Sequence, residues 1–172
     1  NHVEDQGHDQ VGEELVLFDL DGTLTDSGLG IMNSVQYALK KIGRGVENLE
    51  ELKCFVGPPL AQQFAKILRV FDEKGHQMVE FYREYYEGKG MLENAVYDGI
   101  PEVLEQLKNA GIRLAVATSK AGENARKIAE HFKIAPYFEF IGGANMDGSR
   151  TKKAEVIEYV LKNCKVETGS RC

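Results

Sequence analysis

The sequence predicts an α/β fold in which a parallel sheet is covered by helices and interrupted by an inserted helical module. Three short apolar runs, at residues 14–18, 112–118 and 138–143, have the length and composition of buried strands. Segments with helical periodicity alternate with the last two runs, and such alternation is typical of a parallel sheet. Residues 27–96, by contrast, show helical periods and no convincing strand.

The strands and helices of the predicted sheet layer are identified from their apolar residues. The first strand, Glu14 to Phe18, is short, and an Asp-Gly pair stops it. The helix before the second strand begins near Ile100 and closes at Gly111, a residue type that commonly ends helices. The two later helices have apolar residues at helical spacing: Ala125, Ile128, Ala129 and Phe132 in one, and Val156, Ile157, Val160 and Leu161 in the other.

The insert is predicted to contain three helical segments. Two carry apolar stripes, formed by Ile31, Val35, Leu39 and Ile42 and by Leu60, Phe64, Ile67, Leu68 and Phe71, and the third, QMVEFYREYYEGKG, is aromatic. An ordinary crossover between parallel strands needs far fewer residues than this. We therefore expect an acidic tail at 1–12, a core formed by 13–26 and 97–172, and a helical cap at 27–96.

Composition and charge exclude several classes of partner. The net charge is −6, but residues 1–14 contain five acids and no base, which leaves 27 − 5 = 22 acids against 21 bases. A nearly neutral body lacks the basic surface that nucleic acid requires. Since no apolar run reaches the length of a membrane span and the start lacks a signal peptide, we expect no membrane partner and a cytoplasmic location. Three widely spaced cysteines without a Cys-x-x-Cys pair disfavour a zinc site or a disulfide framework.

Two aspartates, Asp19 and Asp21, follow the first strand and are separated by one residue. Side chains at such spacing point the same way, and ligands of parallel sheets lie beyond the carboxyl ends of the strands. A calcium loop is excluded because its sixth and twelfth positions would be Leu24 and Gly30. A hairpin turn is disfavoured because no partner strand follows. A nucleophilic carboxylate with a neighbouring acid/base remains.

Several segments resemble the motifs of the haloacid dehalogenase-like hydrolases. DLDGTLTD is similar to the first motif of that family, Asp-x-Asp-Gly-Thr; LAVATSK resembles the second, and GSRTKKAEVI the third. The position of the helical insert, together with GPPL and VYDGIPEVLEQLK, resembles the phosphoglycolate phosphatase-like branch. The resemblance covers residues 14 to about 165. It implies a Rossmann-like core with an inserted helical cap.

The resemblance also implies a mechanism. Asp19 would be the nucleophile that forms an aspartyl-phosphate, and Asp21 would be the general acid and base. Dehalogenating relatives lack the second aspartate, so Asp21 favours a phosphatase. Asp19 and the Asp21 carbonyl would bind Mg²⁺ together with the phosphate. The remaining phosphate oxygens would be bound by Gly22, Thr23, Thr118, Ser119 and Lys153.

Some of these residues have alternative interpretations. Lys153 matches the third motif in register, with Lys152 as the second candidate; both lie at a predicted helix start, where the macrodipole disfavours cations unless an anion is near. Thr118 or Ser119 could instead cap the helix that begins near Ala121. Gly57 and Pro58 either start a helix or line the cap side of a substrate pocket, and Arg83 is a candidate for binding a substrate anion.

The fourth motif of the family, one or two acids after a fourth strand, has no counterpart in the sequence. The sequence ends at KNCKVETGSRC, where that strand is expected, and Asp147, Asp26 and Asp98 are poor substitutes. The first strand would then be an apolar edge, which proteins avoid. We therefore expect a fragment of a longer protein, with C-terminal strands missing, rather than a degenerate relative.

These observations together predict a magnesium-dependent phosphatase of small phosphorylated metabolites, with phosphoglycolate as the first candidate substrate. A 5′-nucleotidase, a pyrophosphatase or a phosphomutase would share the same motifs. The alternative from another class is a catalytically inactive relative that binds phosphate or a partner protein.

Overall fold

The computed structural model describes residues 14–145, 147 and 149–166, so the predicted acidic tail lies outside the described residues. In chain order its elements are β1 (Leu15–Phe18), β2 (Thr25–Asp26), α1 (Gly28–Lys41), α2 (Leu60–Leu68), α3 (Asp72–Tyr86), β3 (Ala95–Val96), α4 (Ile100–Asn109), β4 (Arg113–Ala121), α5 (Gly122–His131), β5 (Phe140–Ala144) and α6 (Lys153–Asn163). Short 3₁₀ helices lie at Leu49–Phe55, Gly90–Leu92 and Ala135–Tyr137.

The described residues form two compact units. The first, here called the core unit, contains the residues up to Thr25 and those from Val96 onward. The second, the helical unit, is Asp26–Ala95. No helix in the described ranges is both long enough and apolar enough to cross a membrane.

The core unit is built on a parallel sheet with the strand order β1-β4-β5. The predicted parallel α/β architecture is therefore confirmed. Leu15 pairs with Arg113 and Phe18 with Val116, so β4 continues past the end of β1. Within the described residues β1 is an edge strand, because it is paired with β4 alone.

The core under this sheet is formed by small residues of β4 and by the apolar face of α6. Ala115 and Ala117 are buried against Val156, Val160 and Cys164. Two of these five were predicted from helical spacing, and all are at most 2% exposed. Burying such side chains contributes about 1.5–3 kcal/mol for each valine. This packing fixes the N-terminus of α6 beside the carboxyl end of β4.

The helical unit contains α1, α2 and α3, and α3 packs against both of the others. At Gly30 the helix α1 comes so close to the Gly90–Leu92 turn that a Cβ would lie 2.2 Å from the Gly90 carbonyl oxygen. The Gly30 N–H also donates to the buried Asn94 side chain at 3.1 Å. A glycine is therefore required at this position, because any side chain would separate the two segments.

The structure corrects two details of the predicted insert. Residues 27–96 were expected to lack strands, yet β3 lies at the end of this range and pairs with β2, just before it, as a second, two-stranded sheet. Each has only two residues, too few for any alternation to appear in the sequence. Phe71, predicted to continue an apolar stripe, is 81% exposed. The reason is that α2 ends at Leu68 and Arg69 adopts a left-handed conformation, which turns the chain away.

An ion pair ties the start of β4 to the segment before β5. Arg113 Nε and Nη2 each lie 2.7 Å from a carboxylate oxygen of Glu139, and Nη2 also donates to the carbonyl oxygen of Cys164 at the end of α6. The hydrogen bond from Arg113 is the main reason that the pKa of Glu139 is lowered from its usual 4.5. This geometry is bidentate, the strongest form of such a pair.

We predict that Glu139→Gln lowers the free energy of unfolding in a pH-dependent way. A carboxylate whose folded pKa is lowered contributes stability above its unfolded pKa and loses it as pH falls through the folded value. Because the pair is partly exposed, the loss should be at most about 1 kcal/mol near about pH 7, and it should vanish near about pH 2. Urea unfolding at both pH values measures it, with Glu130→Gln on the exposed face of α5 as the control. An equal loss at both pH values would contradict the ion-pair explanation.

Candidate active site

The two aspartates follow the last residue of β1, at the carboxyl edge of the parallel sheet. Leu20, between them, is fully buried, so Asp19 and Asp21 lie on the opposite side of the chain. The side chain of Asp19 is 46% exposed and that of Asp21 is 31% exposed. Since β4 extends past β1, the segment from Ala117 onward lies beside this pair.

A tight loop holds the aspartates in place. The Leu20 carbonyl oxygen accepts hydrogen bonds from the N–H groups of Thr23, Leu24 and Thr25 at 3.3, 2.9 and 3.0 Å. Gly22 has φ +82°, a conformation that favours glycine, and its N–H donates to the Thr25 carbonyl at 2.7 Å. The loop is therefore closed by its own backbone.

This closure involves two of the residues that are expected to bind phosphate. The N–H groups of Gly22 and Thr23 both donate to carbonyl oxygens inside the loop. The Leu20 N–H likewise donates to Asp19 Oδ1 at 2.8 Å. An N–H that is satisfied by a carbonyl in this way has no second hydrogen to offer.

Lys153 contacts Asp19 from the first turn of α6. Its Nζ lies 3.1 Å from Asp19 Oδ1 and donates to the Ala117 carbonyl oxygen at 2.7 Å. One ammonium therefore connects α6, β4 and the residue after β1. Lys152 is exposed, and its backbone N–H donates to Glu155 Oε1 at 3.0 Å, a hydrogen bond that lowers the pKa of Glu155.

Lys120 makes the equivalent contact with Asp21. Its Nζ lies 3.0 Å from Asp21 Oδ2, and its side chain is only 14% exposed. The other oxygen, Asp21 Oδ1, is buried and has no hydrogen-bond partner in the described part of the chain. Sequence analysis did not identify Lys120 as a site residue. The available signal was its position two residues after Thr118, on the same side of a strand.

Thr118 is buried, and its hydroxyl accepts the N–H of Lys120 at 3.1 Å. Ser119 is exposed. Helix α5 begins at Gly122, its N-cap residue is Ala121, and no side chain caps it. The capping alternative for Thr118 and Ser119 is therefore wrong, because both lie before the cap position, still within β4.

The remaining predicted site residues belong to the helical unit. Gly57 and Pro58 are exposed and precede α2, which begins at Leu60 after Pro59. They therefore lie before the cap position of the helix, and Gly57 has φ +115°. Arg83 lies exposed on α3.

The two aspartates offer a small set of ligands for a metal ion. Their carboxylate and carbonyl oxygens, including the unpaired Asp21 Oδ1, are the donors that Mg²⁺ prefers, so the residues fit this ion in kind. No group of three or more acidic, histidine or cysteine side chains with metal-binding geometry occurs in the described ranges. Asp147 is exposed beyond β5, where its carboxylate accepts the Ser149 N–H at 2.8 Å. That hydrogen-bonded contact with Ser149 also lowers the pKa of Asp147.

Comparison with known proteins identifies close relatives. The family model described as haloacid dehalogenase-like hydrolase matches residues 16–170. A 5′-nucleotidase of Pseudomonas aeruginosa is 47% identical over 146 residues, which are 85% of this chain and 66% of that protein. The tyrosine-protein kinase PtkA of Mycobacterium tuberculosis is 43% identical over 148 residues, which are 86% of this chain and 50% of that protein. A phosphoglycolate phosphatase of Aquifex aeolicus is 31% identical over 136 residues, and the match covers 79% of this chain and 63% of that protein.

A solved structure is also similar to this chain. The crystal structure of a predicted phosphatase from Clostridium acetobutylicum superimposes with a TM-score of 0.77 at 45% identity, covering 91% of this chain and 72% of that one. The chain spans between half and two thirds of the length of the three curated relatives.

We predict that the 172-residue chain binds Mg²⁺ weakly and that Asp19→Asn and Asp21→Asn each weaken binding further. Mg²⁺ dehydrates reluctantly, and at this site it would compete with two lysine ammonium groups for few carboxylates. Titration calorimetry measures the affinity, and Asp147→Asn serves as the control that should leave it unchanged. If Asp147→Asn weakens binding as much as Asp19→Asn does, Asp147 is a ligand and the two-carboxylate site is wrong.

Proposed function

This chain belongs to the haloacid dehalogenase-like hydrolases, and from that membership we propose that it hydrolyses monoesters of phosphate with small metabolites. The observation that carries the proposal is the pairing of each aspartate after β1 with its own lysine ammonium, Lys153 on Asp19 and Lys120 on Asp21. A carboxylate nucleophile, a second carboxylate and two cations supply what phosphoryl transfer to an aspartate requires.

The reaction proceeds in two displacements. A carboxylate oxygen of Asp19 attacks phosphorus, and the bond between phosphorus and the leaving oxygen breaks while Asp21 gives that oxygen its proton. The product is an aspartyl-phosphate on Asp19 and a free alcohol. A water molecule then attacks phosphorus, and Asp21 takes up a proton from it. The bond between phosphorus and the Asp19 oxygen breaks, which regenerates the Asp19 carboxylate and frees inorganic phosphate.

Charge repulsion is the main obstacle to the first displacement. Two like unit charges about 4 Å apart repel by about 4 kcal/mol at an effective dielectric constant of about 20. The repulsion between a carboxylate and a phosphate dianion is larger still. Lys153 offsets this repulsion, because its ammonium lies against the nucleophile and close to any phosphoryl group that Asp19 attacks. The Thr118 hydroxyl, at the same edge of the sheet, is a further donor to a phosphate oxygen.

Asp19 and Asp21 are also the residues that would hold Mg²⁺, as its carboxylate and carbonyl ligands. Bound there, the ion would neutralise phosphate charge as a Lewis acid. Asp19 would hold it through its carboxylate and Asp21 through its main-chain carbonyl oxygen, which leaves the Asp21 carboxyl for proton transfer.

We further propose nucleoside 5′-monophosphates as the first substrate class and phosphoglycolate as the second. The support is the ranking of identities, 47% to a 5′-nucleotidase against 31% to a phosphoglycolate phosphatase. Phosphate release from a panel that also contains pyrophosphate tests this order. Product analysis with a sugar phosphate distinguishes a phosphomutase, which would leave an isomer instead of free phosphate. The panel should include a tyrosine peptide with ATP, because PtkA is a relative at 43% identity.

We predict that Asp19→Asn abolishes phosphate release in the protein expressed from its complete natural reading frame. An amide is not nucleophilic enough to attack phosphorus, so the loss should reach the detection limit. The same variant should fail to trap beryllium fluoride, a mimic of the aspartyl-phosphate, as measured by ¹⁹F NMR. Normal turnover by Asp19→Asn would contradict the mechanism as a whole, and inactive wild-type protein would support the phosphate-binding alternative.

We predict that Lys153→Met reduces kcat far more than Lys152→Met. Only Lys153 touches the nucleophile, and removing one such electrostatic partner costs about 10²–10³ in kcat in well-studied enzymes. Lys152→Met is the matched control, since Lys152 is the neighbouring residue and is exposed. Steady-state kinetics on both variants measures the difference. Equal and mild losses would mean that neither lysine stabilises the transferred phosphoryl group.

A further inference from the structure

Lys120 is the least exposed charged group that contacts the site. Its side chain is 14% exposed, against 39% for Lys153, although both carry an ammonium beside a carboxylate. A lysine with this degree of burial needs a charged partner, and the Asp21 carboxylate at 3.0 Å is such a partner. We therefore expect the ion pair between Lys120 and Asp21 to persist in solution.

The backbone of β4 directs Lys120 toward Asp21. Thr118 is 3% exposed, Ser119 is exposed, and Lys120 is again mostly covered, which is the alternation of a strand. The Thr118 hydroxyl accepts the Lys120 N–H, and the pairing with β5 shifts register between Ala117 and Ala121. The segment is thus anchored from the buried side, and Lys120 Nζ is held at the edge where Asp21 lies.

The two oxygens of Asp21 have very different environments. Oδ1 is buried without a partner, and Oδ2 is held by Lys120. A buried acceptor without a partner is destabilising, and such groups are uncommon in native proteins. Without the ammonium on Oδ2, the carboxylate would lower its free energy by rotating Oδ1 into solvent. Lys120 therefore restrains the carboxylate in the orientation that the structure shows.

We propose that Lys120 is a positioning residue, which holds the Asp21 carboxylate in the orientation needed for proton transfer to the leaving oxygen. This inference rests on the proposed phosphatase function, and Lys120 acts in it only through Asp21. The ammonium keeps all its protons during the reaction. The proton that reaches the leaving oxygen comes from the Asp21 carboxyl, and the bond to phosphorus breaks in the same step.

A leaving-group test separates this role from substrate binding and from folding. An alkyl phosphate needs its leaving oxygen protonated, whereas p-nitrophenyl phosphate has a leaving group stable enough to depart as an anion. The ratio of kcat/KM for the two substrates isolates the first displacement. In Lys120→Met we expect kcat/KM for the alkyl phosphate to fall at least about ten-fold more than for p-nitrophenyl phosphate. Asp21→Ala should show the same selectivity.

Three further variants complete the experiment, carried out on the protein from its complete natural reading frame. Lys120→Arg keeps a cation with hydrogen-bond donors and should restore most of the ratio. The double variant Asp21→Ala with Lys120→Met should be no worse than Asp21→Ala alone, because Lys120 acts through Asp21. Lys127→Met, an exposed lysine on α5, is the matched control and should leave the ratio unchanged.

The outcomes separate the two claims. If wild type hydrolyses neither substrate, the proposed phosphatase function is overturned and the role of Lys120 with it. If wild type is active but Lys120→Met lowers kcat/KM equally for both substrates, or raises only KM, the positioning role alone is overturned. Should Lys120→Met fail to fold by circular dichroism, Lys120→Gln replaces it with the same expectation.

Discussion

The parallel pairing of β1 with β4 is the constraint on which the rest of the site depends. With Phe18 opposite Val116, β1 ends while β4 continues, and Asp19 lies beside the Ala117 carbonyl oxygen. Lys153 can then bridge both, because the packing of Val156 and Val160 on β4 fixes where α6 begins. A slip of one residue in this pairing would move every side chain of β1 to the other face of the sheet. The geometry of the nucleophile thus follows from packing several residues away.

The charges at this edge are balanced within the protein. Two carboxylates face two ammonium groups at 3.0 and 3.1 Å, so the opposite charges are paired one to one. An arriving phosphate dianion shifts this balance toward negative charge, and a divalent cation offsets that excess. In the proposed function, the same few groups would therefore serve both the substrate and the metal.

Much of the core could be predicted from the sequence, because its signals are strong and local. Leu15 to Phe18 is a short apolar run before two acids, and Val156 and Val160 repeat at helical spacing; each pattern has one good structural solution. The strands β2 and β3 escaped prediction because two residues carry no periodicity. Lys120 escaped because its role depends on a contact between residues 99 positions apart in the chain (120 − 21), which no local pattern encodes.

Family membership constrains the chemistry of this protein more tightly than it constrains the identity of the substrate. Relatives at 47% and 43% identity carry the names of a 5′-nucleotidase and a tyrosine kinase, although the two matches cover almost the same share of this chain. A shared fold permits such divergence, because function resides in individual side chains placed on the scaffold. In the proposed mechanism, Asp19 and Lys153 act on the phosphoryl group. Asp21, with its partner Lys120, acts on the leaving oxygen, where phosphate monoesters differ from one another. In that mechanism, a dependence of the rate on the leaving group reports on Asp21 and Lys120 rather than on the groups that bind the phosphoryl group.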